Sequence, residues 1–112
     1  MARRIEELHR QYVSSFFAKH EQLRSVWDSL CSEEAGENLA REIHLQLHRL
    51  AGSAGAYGFD SLSERARRLE RDWSRFLDAD PILRPPAYAV CAEQAGEMAA
   101  LFDELMSWAA SA

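Results

Sequence analysis

The stretch HRLAGSAGAYG, residues 48–58, decides how this chain is interpreted, because it places a histidine among small residues inside a strongly helical segment. Glycine in a helix interior costs about 0.5–1 kcal/mol relative to alanine. Gly52 and Gly55 together therefore cost this helix about 1–2 kcal/mol. We expect a gain elsewhere to offset that cost, and close approach by another large molecule would provide it.

A helical projection at about 100° per residue shows what surrounds the histidine. An apolar sector lies behind His48 and consists of Leu39, Ile43, Leu47, Leu50 and Ala54. Four residues fall on the same side as His48, namely His44, Ala51, Gly52 and Gly55. The projection predicts a helix whose back packs into a core and whose front presents one imidazole on a cleared docking surface.

Apolar residues at helical spacing along the rest of the chain predict five helices. Residues 3–31 form either two helices with a bend near Lys19 and His20 or one long helix, which the polar residues 32–36 end. The third helix runs from Glu37 to Tyr57, and Gly58 supplies the left-handed residue that closes it.

The fourth predicted helix spans residues 61–78 and begins with Ser61 and Glu64 in the S-x-x-E capping pattern. Its apolar stripe is Leu62, Ala66, Leu69, Trp73, Phe76 and Leu77. Prolines at 81, 85 and 86 mark the next connection, and the fifth helix fills the remainder. The fifth helix has the apolar stripe Cys91, Ala95, Met98, Leu101, Phe102, Leu105 and Trp108. Each helix thus has one apolar face, as a bundle requires.

The short connection between the third and fourth helices makes them antiparallel neighbours. His48 lies ten residues before Gly58, and Glu70 lies twelve residues after it. Glu70 should therefore return to the level of His48. The alternative is a solvated carboxylate that pairs with Arg67 or Ser74 on its own helix.

The residues from His48 onward resemble the motif of histidine-containing phosphotransfer (HPt) domains, which reads His, any residue, Leu, Lys, Gly, Ser, small residues, and Gly ten positions after the His. The matching residues are His48, Leu50, Gly52, Ser53, Ala54 and Gly58, followed by Phe59, Leu62 and residues 66–70. Position 51 departs from the motif, because it is Ala where the family usually has Lys. Together with the helix pattern, the resemblance implies an all-α, antiparallel four-helix bundle with an additional N-terminal helix.

The resemblance implies a phosphoryl carrier without kinase activity of its own, working in a two-component phosphorelay. His48 would take the phosphoryl group at Nε2, and Glu70 would accept a hydrogen bond from the other ring nitrogen and orient the imidazole. The expected partners are receiver domains of response regulators and a sensor or hybrid histidine kinase. No cofactor or metal is expected in this chain, and the receiver should supply the magnesium ion.

Several residues around His48 are candidates to meet the partner: His44, Arg49, Ala51, Gly52, Gly55, Arg67 and Arg71. A guanidinium suits phosphate oxygens and an acidic surface equally well. Because position 51 carries no cation, we expect Arg67 or Arg71 to supply one from the next helix. The alternative for the three arginines is an ordinary solvated helix face.

Composition bounds the remaining possibilities. A chain of 112 residues with three prolines and 47% hydrophobic residues has the size of one domain, spanning 1–112. Its net charge of −5 argues against a nucleic-acid surface. No segment resembles a membrane span or a signal peptide, so we expect a cytoplasmic protein that does not bind membranes, and a monomer. Cys31 and Cys91 lack metal-ligand spacing and could pair only if the fold brought them together.

Three alternatives stay open. His44 and His48 have the i, i+4 spacing with which two imidazoles share zinc, although further ligands are missing. A pseudo-HPt module would bind a receiver or kinase without carrying phosphate, which the missing lysine makes conceivable. The chain could also be the phosphotransfer domain of a larger kinase, although Met1 favours a free-standing protein.

Overall fold

The computed structural model describes residues 2–32 and 36–111, with side chains from residue 6 onward. It contains five helices: α1 (Ala2–Ser14), α2 (Phe16–Leu30), α3 (Glu37–Ala56), α4 (Asp60–Asp78) and α5 (Ala87–Ser111). The two described ranges contain no strand. Residues 33–35 of the predicted polar connection lie outside these ranges.

Helices α2, α3, α4 and α5 form a closed bundle in which each helix packs against two neighbours. Ser63 of α4 contacts Ala51 of α3, and further along α4 Glu70 contacts His48, so these two helices are antiparallel. The contacts between α4 and α5 show the same arrangement. Helix α1 adds contacts to α2 and α5. The predicted all-α four-helix bundle with an additional N-terminal helix is confirmed.

The bend between the first two helices lies at Ser15, so its predicted position near Lys19 and His20 is wrong. The Ser15 hydroxyl donates to the Tyr12 carbonyl at 2.6 Å and accepts from Lys19 Nζ at 2.7 Å. The Ser15 amide also donates to the Tyr12 carbonyl, at 3.0 Å. A serine hydroxyl that bonds back to the preceding turn competes with the helical ladder and bends the helix.

Gly58 ends α3 as predicted, with a φ of +84°. The amide of Phe59 donates to the carbonyl of Ala54 at 2.8 Å, and the amide of Gly58 donates to Gly55 at 3.2 Å. This pair of bonds is a Schellman motif, which satisfies carbonyls that the helix end would otherwise leave without partners. The chain reverses within residues 57–59, and this short reversal sets the register of α4 against α3.

The predicted capping box at the start of α4 is wrong. The helix begins at Asp60, and its N-cap residue Phe59 makes no side-chain capping bond. The hydroxyl of Ser61 donates instead to Glu104 Oε1 of α5 at 3.1 Å. The Ser61 hydroxyl therefore bonds to a carboxylate of the neighbouring helix, and not to a backbone amide of α4 as the capping pattern predicts.

The core follows the predicted stripes of α3 and α4, whereas the predicted core positions Leu8, Phe17 and Trp108 are exposed. Helix α5 departs further from its stripe. In α5, Ala95 is exposed and Gln94 is buried in its place. The Gln94 amide oxygen accepts from Trp73 Nε1 at 2.8 Å, and its nitrogen donates to Leu69 O and Asp72 Oδ2, each at 3.1 Å. A buried indole N–H requires an acceptor, which explains a polar residue at this position. None of the described helices is long and apolar enough to cross a bilayer.

The fold brings the two cysteines together as free thiols. Burial, together with the neighbouring Cys31 thiol, raises the pKa of the Cys91 thiol to about 12. Cys31 is exposed at the end of α2. Since the thiolate is the reactive form, Cys91 is inert while the bundle is folded.

Candidate functional site

Helix α3 presents His48 as the projection predicts. The residues of the apolar sector that pack into the core are Ile43, Leu47, Leu50 and Ala54. The His48 side chain points the other way and is 68% exposed. Residues 43–54 therefore hold the backbone of His48 rigidly while leaving its imidazole open to a large partner.

Glu70 of α4 lies where the antiparallel count places it. The distance between His48 Nδ1 and Glu70 Oε1 is 2.7 Å. A carboxylate only accepts hydrogen bonds, so Nδ1 carries the ring proton and donates it. The other nitrogen, Nε2, then has its lone pair free and directed away from the carboxylate. Because Glu70 is only 17% exposed, little water competes for this hydrogen bond.

His44 lies one turn before His48 and belongs to the same cluster. Its Nε2 is 3.6 Å from the Glu70 oxygen that accepts from His48. The two imidazole rings are nearly parallel, with an angle of 11° and 6.4 Å between centroids. His44 is 31% exposed, so the structure places it beside the carboxylate as well as near the surface.

The two glycines in the helix have different surroundings. A Cβ added at Gly52 would meet no atom within 4 Å, so Gly52 is open to solvent and to a partner. A Cβ added at Gly55 would lie 3.2 Å from the hydroxyl oxygen of Ser63 on α4. Gly55 therefore allows the close approach of α4, and since it is also exposed, its docking role stays a prediction.

Ala51 does not lie on the exposed docking surface, so that prediction is wrong. It is 2% exposed, and its carbonyl accepts from the Ser63 hydroxyl at 2.7 Å. Helix α4 covers this flank of α3, and a projection of α3 alone contains no information about where the neighbouring helix lies.

Three exposed arginines lie near the His48–Glu70 pair in sequence: Arg49 follows His48 on α3, and Arg67 and Arg71 lie three residues before and one residue after Glu70 on α4. None of them makes an ion pair with any residue in the described ranges. Six other arginines do have carboxylate partners in the same ranges: Arg24, Arg41, Arg65, Arg68, Arg75 and Arg84. We call the surface formed by His48, Gly52, Arg49, Arg67 and Arg71 the histidine face.

A cavity of about 330 Å³ between α2 and α3 adjoins this face. Its lining includes Arg49 and Lys19, with Leu23 and Leu50 as apolar members. Partial burial lowers the pKa of Lys19. The sequence analysis missed this cavity, because its existence depends on the register between α2 and α3, which no short connection fixes.

Ser53 ties α3 to α1. Its hydroxyl lies 2.6 Å from the Tyr12 hydroxyl and also donates to the Leu50 carbonyl at 3.4 Å. The serine of the motif therefore helps to anchor the N-terminal helix against the segment that carries His48. In the described ranges, no group of three His, Cys, Asp or Glu side chains is arranged to hold a metal ion.

An all-helical bundle that presents one exposed imidazole, with a carboxylate on its second nitrogen, has the form of a phosphoryl-accepting module. The family model described as Hpt domain matches residues 7–108, so this chain belongs to the Hpt domain family. The match includes His48, Glu70 and every residue of the histidine face. Comparison with curated proteins and with solved structures gave no match.

Proposed function

We propose that this protein carries a phosphoryl group on His48 between receiver-domain aspartates of a two-component phosphorelay. The hydrogen bond of 2.7 Å from His48 Nδ1 to Glu70 supports this proposal most directly. It selects the ring tautomer whose exposed Nε2 can act as a nucleophile. Membership of the Hpt domain family supports the same reaction class.

The transfer requires two things from this chain: an exposed and oriented His48 imidazole, and the negative charge of Glu70. The Nε2 lone pair of His48 attacks the phosphorus atom of a receiver phosphoaspartate in line with the bond that breaks. The Nε2–P bond forms while the aspartate O–P bond breaks, and the electron pair of that bond stays on the aspartate carboxylate. The proton on Nδ1 remains, so the ring gains positive charge that Glu70 stabilises. Transfer to a second receiver reverses these changes.

The partners follow from this division of roles. A receiver would contribute the aspartate and the acidic pocket that holds magnesium, and this chain would contribute the histidine. The unpaired arginines of the histidine face suit an acidic rim around such a pocket. A sensor or hybrid histidine kinase would supply the phosphoryl group at the start of the relay, and the carrier itself would have no kinase activity.

Replacing His48 by glutamine tests the proposal. We expect His48→Gln to abolish phosphoryl uptake from a phosphorylated receiver and to leave the melting temperature nearly unchanged, because this side chain is mostly exposed. The measurement is mass spectrometry of the intact protein after incubation with each purified receiver of the source organism. Phosphorylation that persists in His48→Gln, or that survives acid, would refute the assignment.

A second candidate function is a pseudo-HPt module, which docks a receiver or kinase without carrying phosphate. The observation in its favour is Ala51, which puts a buried methyl group where the family usually has lysine. In this case the wild-type protein would bind a receiver, as measured by calorimetry, and would take up phosphate from none of them.

A further inference from the structure

Glu70 has partners that its own helix does not explain. Arg67 lies three residues before it on α4, the spacing at which a carboxylate and a guanidinium on one helix usually pair. Among the described residues, however, the nitrogen atoms within 4 Å of the Glu70 carboxylate in the ion-pair geometry belong to the imidazoles of His44 and His48, both on α3. The Glu70 carboxylate therefore contacts α3 and makes no ion pair with the guanidinium of Arg67 on its own helix.

His48 alone is a weak anchor for the Glu70 carboxylate, because its side chain is 68% exposed. His44 is more buried, at 31%, and its Nε2 lies 3.6 Å from the same Oε1 atom that accepts from His48 Nδ1. The rigid turn of α3 fixes the spacing of the two imidazoles. The carboxylate oxygen thus lies between two ring nitrogens whose backbone positions do not change.

We propose that His44 is a positioning residue that holds the Glu70 carboxylate at Nδ1 of His48. Only the expected effect on phosphoryl transfer rests on the proposed function. The position of the carboxylate can be measured without any partner. The Nε2 atom of His44, 3.6 Å from Oε1, is a polar neighbour beyond hydrogen-bond distance that favours the carboxylate on the α3 side. The oxygen then selects the His48 tautomer with a proton on Nδ1.

The role matters most when charge on His48 changes. The His48 ring gains positive charge on phosphorylation and loses it on transfer, so its attraction for Glu70 rises and falls during each cycle. A glutamate side chain has several rotatable bonds and can swing toward Arg67 when that attraction is weak. His44 stays in place throughout the cycle and prevents this movement.

The test reads the His48 tautomer from long-range ¹H–¹⁵N correlation spectra of histidine-labelled protein at pH 8. We expect wild-type His48 to be the Nδ1–H tautomer. His44→Leu should shift it toward a mixture with the Nε2–H tautomer, and Glu70→Ala marks the limit of that shift. His44→Gln should restore most of the wild-type signature, since its amide is also polar. The double variant His44→Leu/Arg67→Ala should restore part of it by removing the competing guanidinium.

Transfer and binding measurements complete the test. His44→Leu should slow transfer from a phosphorylated receiver about two- to fivefold, since the nucleophile remains while its orienting acceptor is displaced. The receiver Kd should not change. Glu42→Gln, an exposed carboxylate of α3 whose partner is Gln46, is the matched control and should alter neither quantity.

The outcomes separate cleanly. An unchanged His48 tautomer in His44→Leu overturns the inference, and if the receiver Kd rises at the same time, His44 is a docking residue instead. A tautomer shift that His44→Gln and the double variant reverse supports the inference, even if no receiver phosphorylates the wild-type protein. That last result would refute the proposed function and leave the positioning role of His44 intact.

Discussion

Helix α4 uses its charged residues differently on its two flanks. Toward α5, Arg65 donates to Glu104 at 3.1 Å and Arg68 donates to Glu97 at 2.7 Å. Toward α3, the carboxylate of Glu70 contacts imidazoles, and the neighbouring guanidinium of Arg67 makes no ion pair with a described residue. We call these the closed flank and the open flank of α4.

The difference lies in whether the charged side chains of one helix find partners inside the bundle. On the closed flank each arginine faces a carboxylate of α5, so the charge is balanced inside the bundle. On the open flank α3 offers imidazole and small residues, so Arg67 has no carboxylate partner among the described residues. The open flank is also where α3 carries glycine, which removes side-chain bulk from the surface beside the unpaired charge.

Adding a side chain at Gly52 of α3, beside His48, should produce the largest effect. Gly52→Gln should lower the rate of transfer from a receiver by at least about tenfold, because the added side chain separates the reacting groups. Stability should stay the same or increase, since glutamine is a better helix former than glycine and nothing lies within 4 Å of the added Cβ. Quenched time-course assays measure the transfer rate, and thermal melting measures the stability.

The matched control for this variant is Gly96→Gln on α5, where an added Cβ also meets nothing within 4 Å. It should raise stability similarly and leave transfer unchanged. If Gly52→Gln melts far below the wild type, Gly52 is a packing residue and the open flank is not a docking surface.

Removing the charge of the open flank should have a smaller effect. Arg67→Ala/Arg71→Ala should slow transfer about three- to tenfold and weaken its dependence on ionic strength, because steering by unpaired charge is lost. Arg68→Ala, on the closed flank, is the control and should leave transfer unchanged. Rates are compared at low and high salt. A double variant that matches the wild type at every salt concentration would show that this site works without the two cations.

The α3 side of the site was predictable because local geometry determined it. The apolar sector and the exposed His48 follow from helical periodicity. The level of Glu70 follows from a three-residue reversal, since so short a connection leaves one antiparallel register. The family motif added the reason why the histidine and the carboxylate should meet.

Three of the errors share one physical cause, which is competition from residues distant in sequence, whereas the misplaced bend at Ser15 has a local cause. Ser61 had an ideal local capping pattern, yet its hydroxyl bonds to Glu104 on another helix. Ala51 lay on the exposed side of the projection, yet α4 covers it. Gln94 replaced Ala95 in the core because Trp73 required an acceptor. Periodicity treats each helix alone and cannot weigh such partners.

Breaking the closed flank should have the smallest effect and should change stability only. Arg65→Met should lower the free energy of unfolding by about 0.5–1 kcal/mol, because Arg65 is partly buried and Glu104 loses its guanidinium partner, while Glu97 keeps Arg68. Transfer should remain at the wild-type rate. Urea denaturation gives the stability, and a transfer rate that falls with it would show that the two flanks are not independent.

The central claim is that the phosphoryl group resides on Nε2 of His48 while Nδ1 keeps its proton against Glu70. Long-range ¹H–¹⁵N and ¹H–³¹P correlation spectra of the protein, phosphorylated by a receiver, test it most directly. The account predicts one phosphoryl group, coupled through Nε2 of His48, with the Nδ1 proton retained. A phosphoryl group on Nδ1, or on any other side chain, would contradict it.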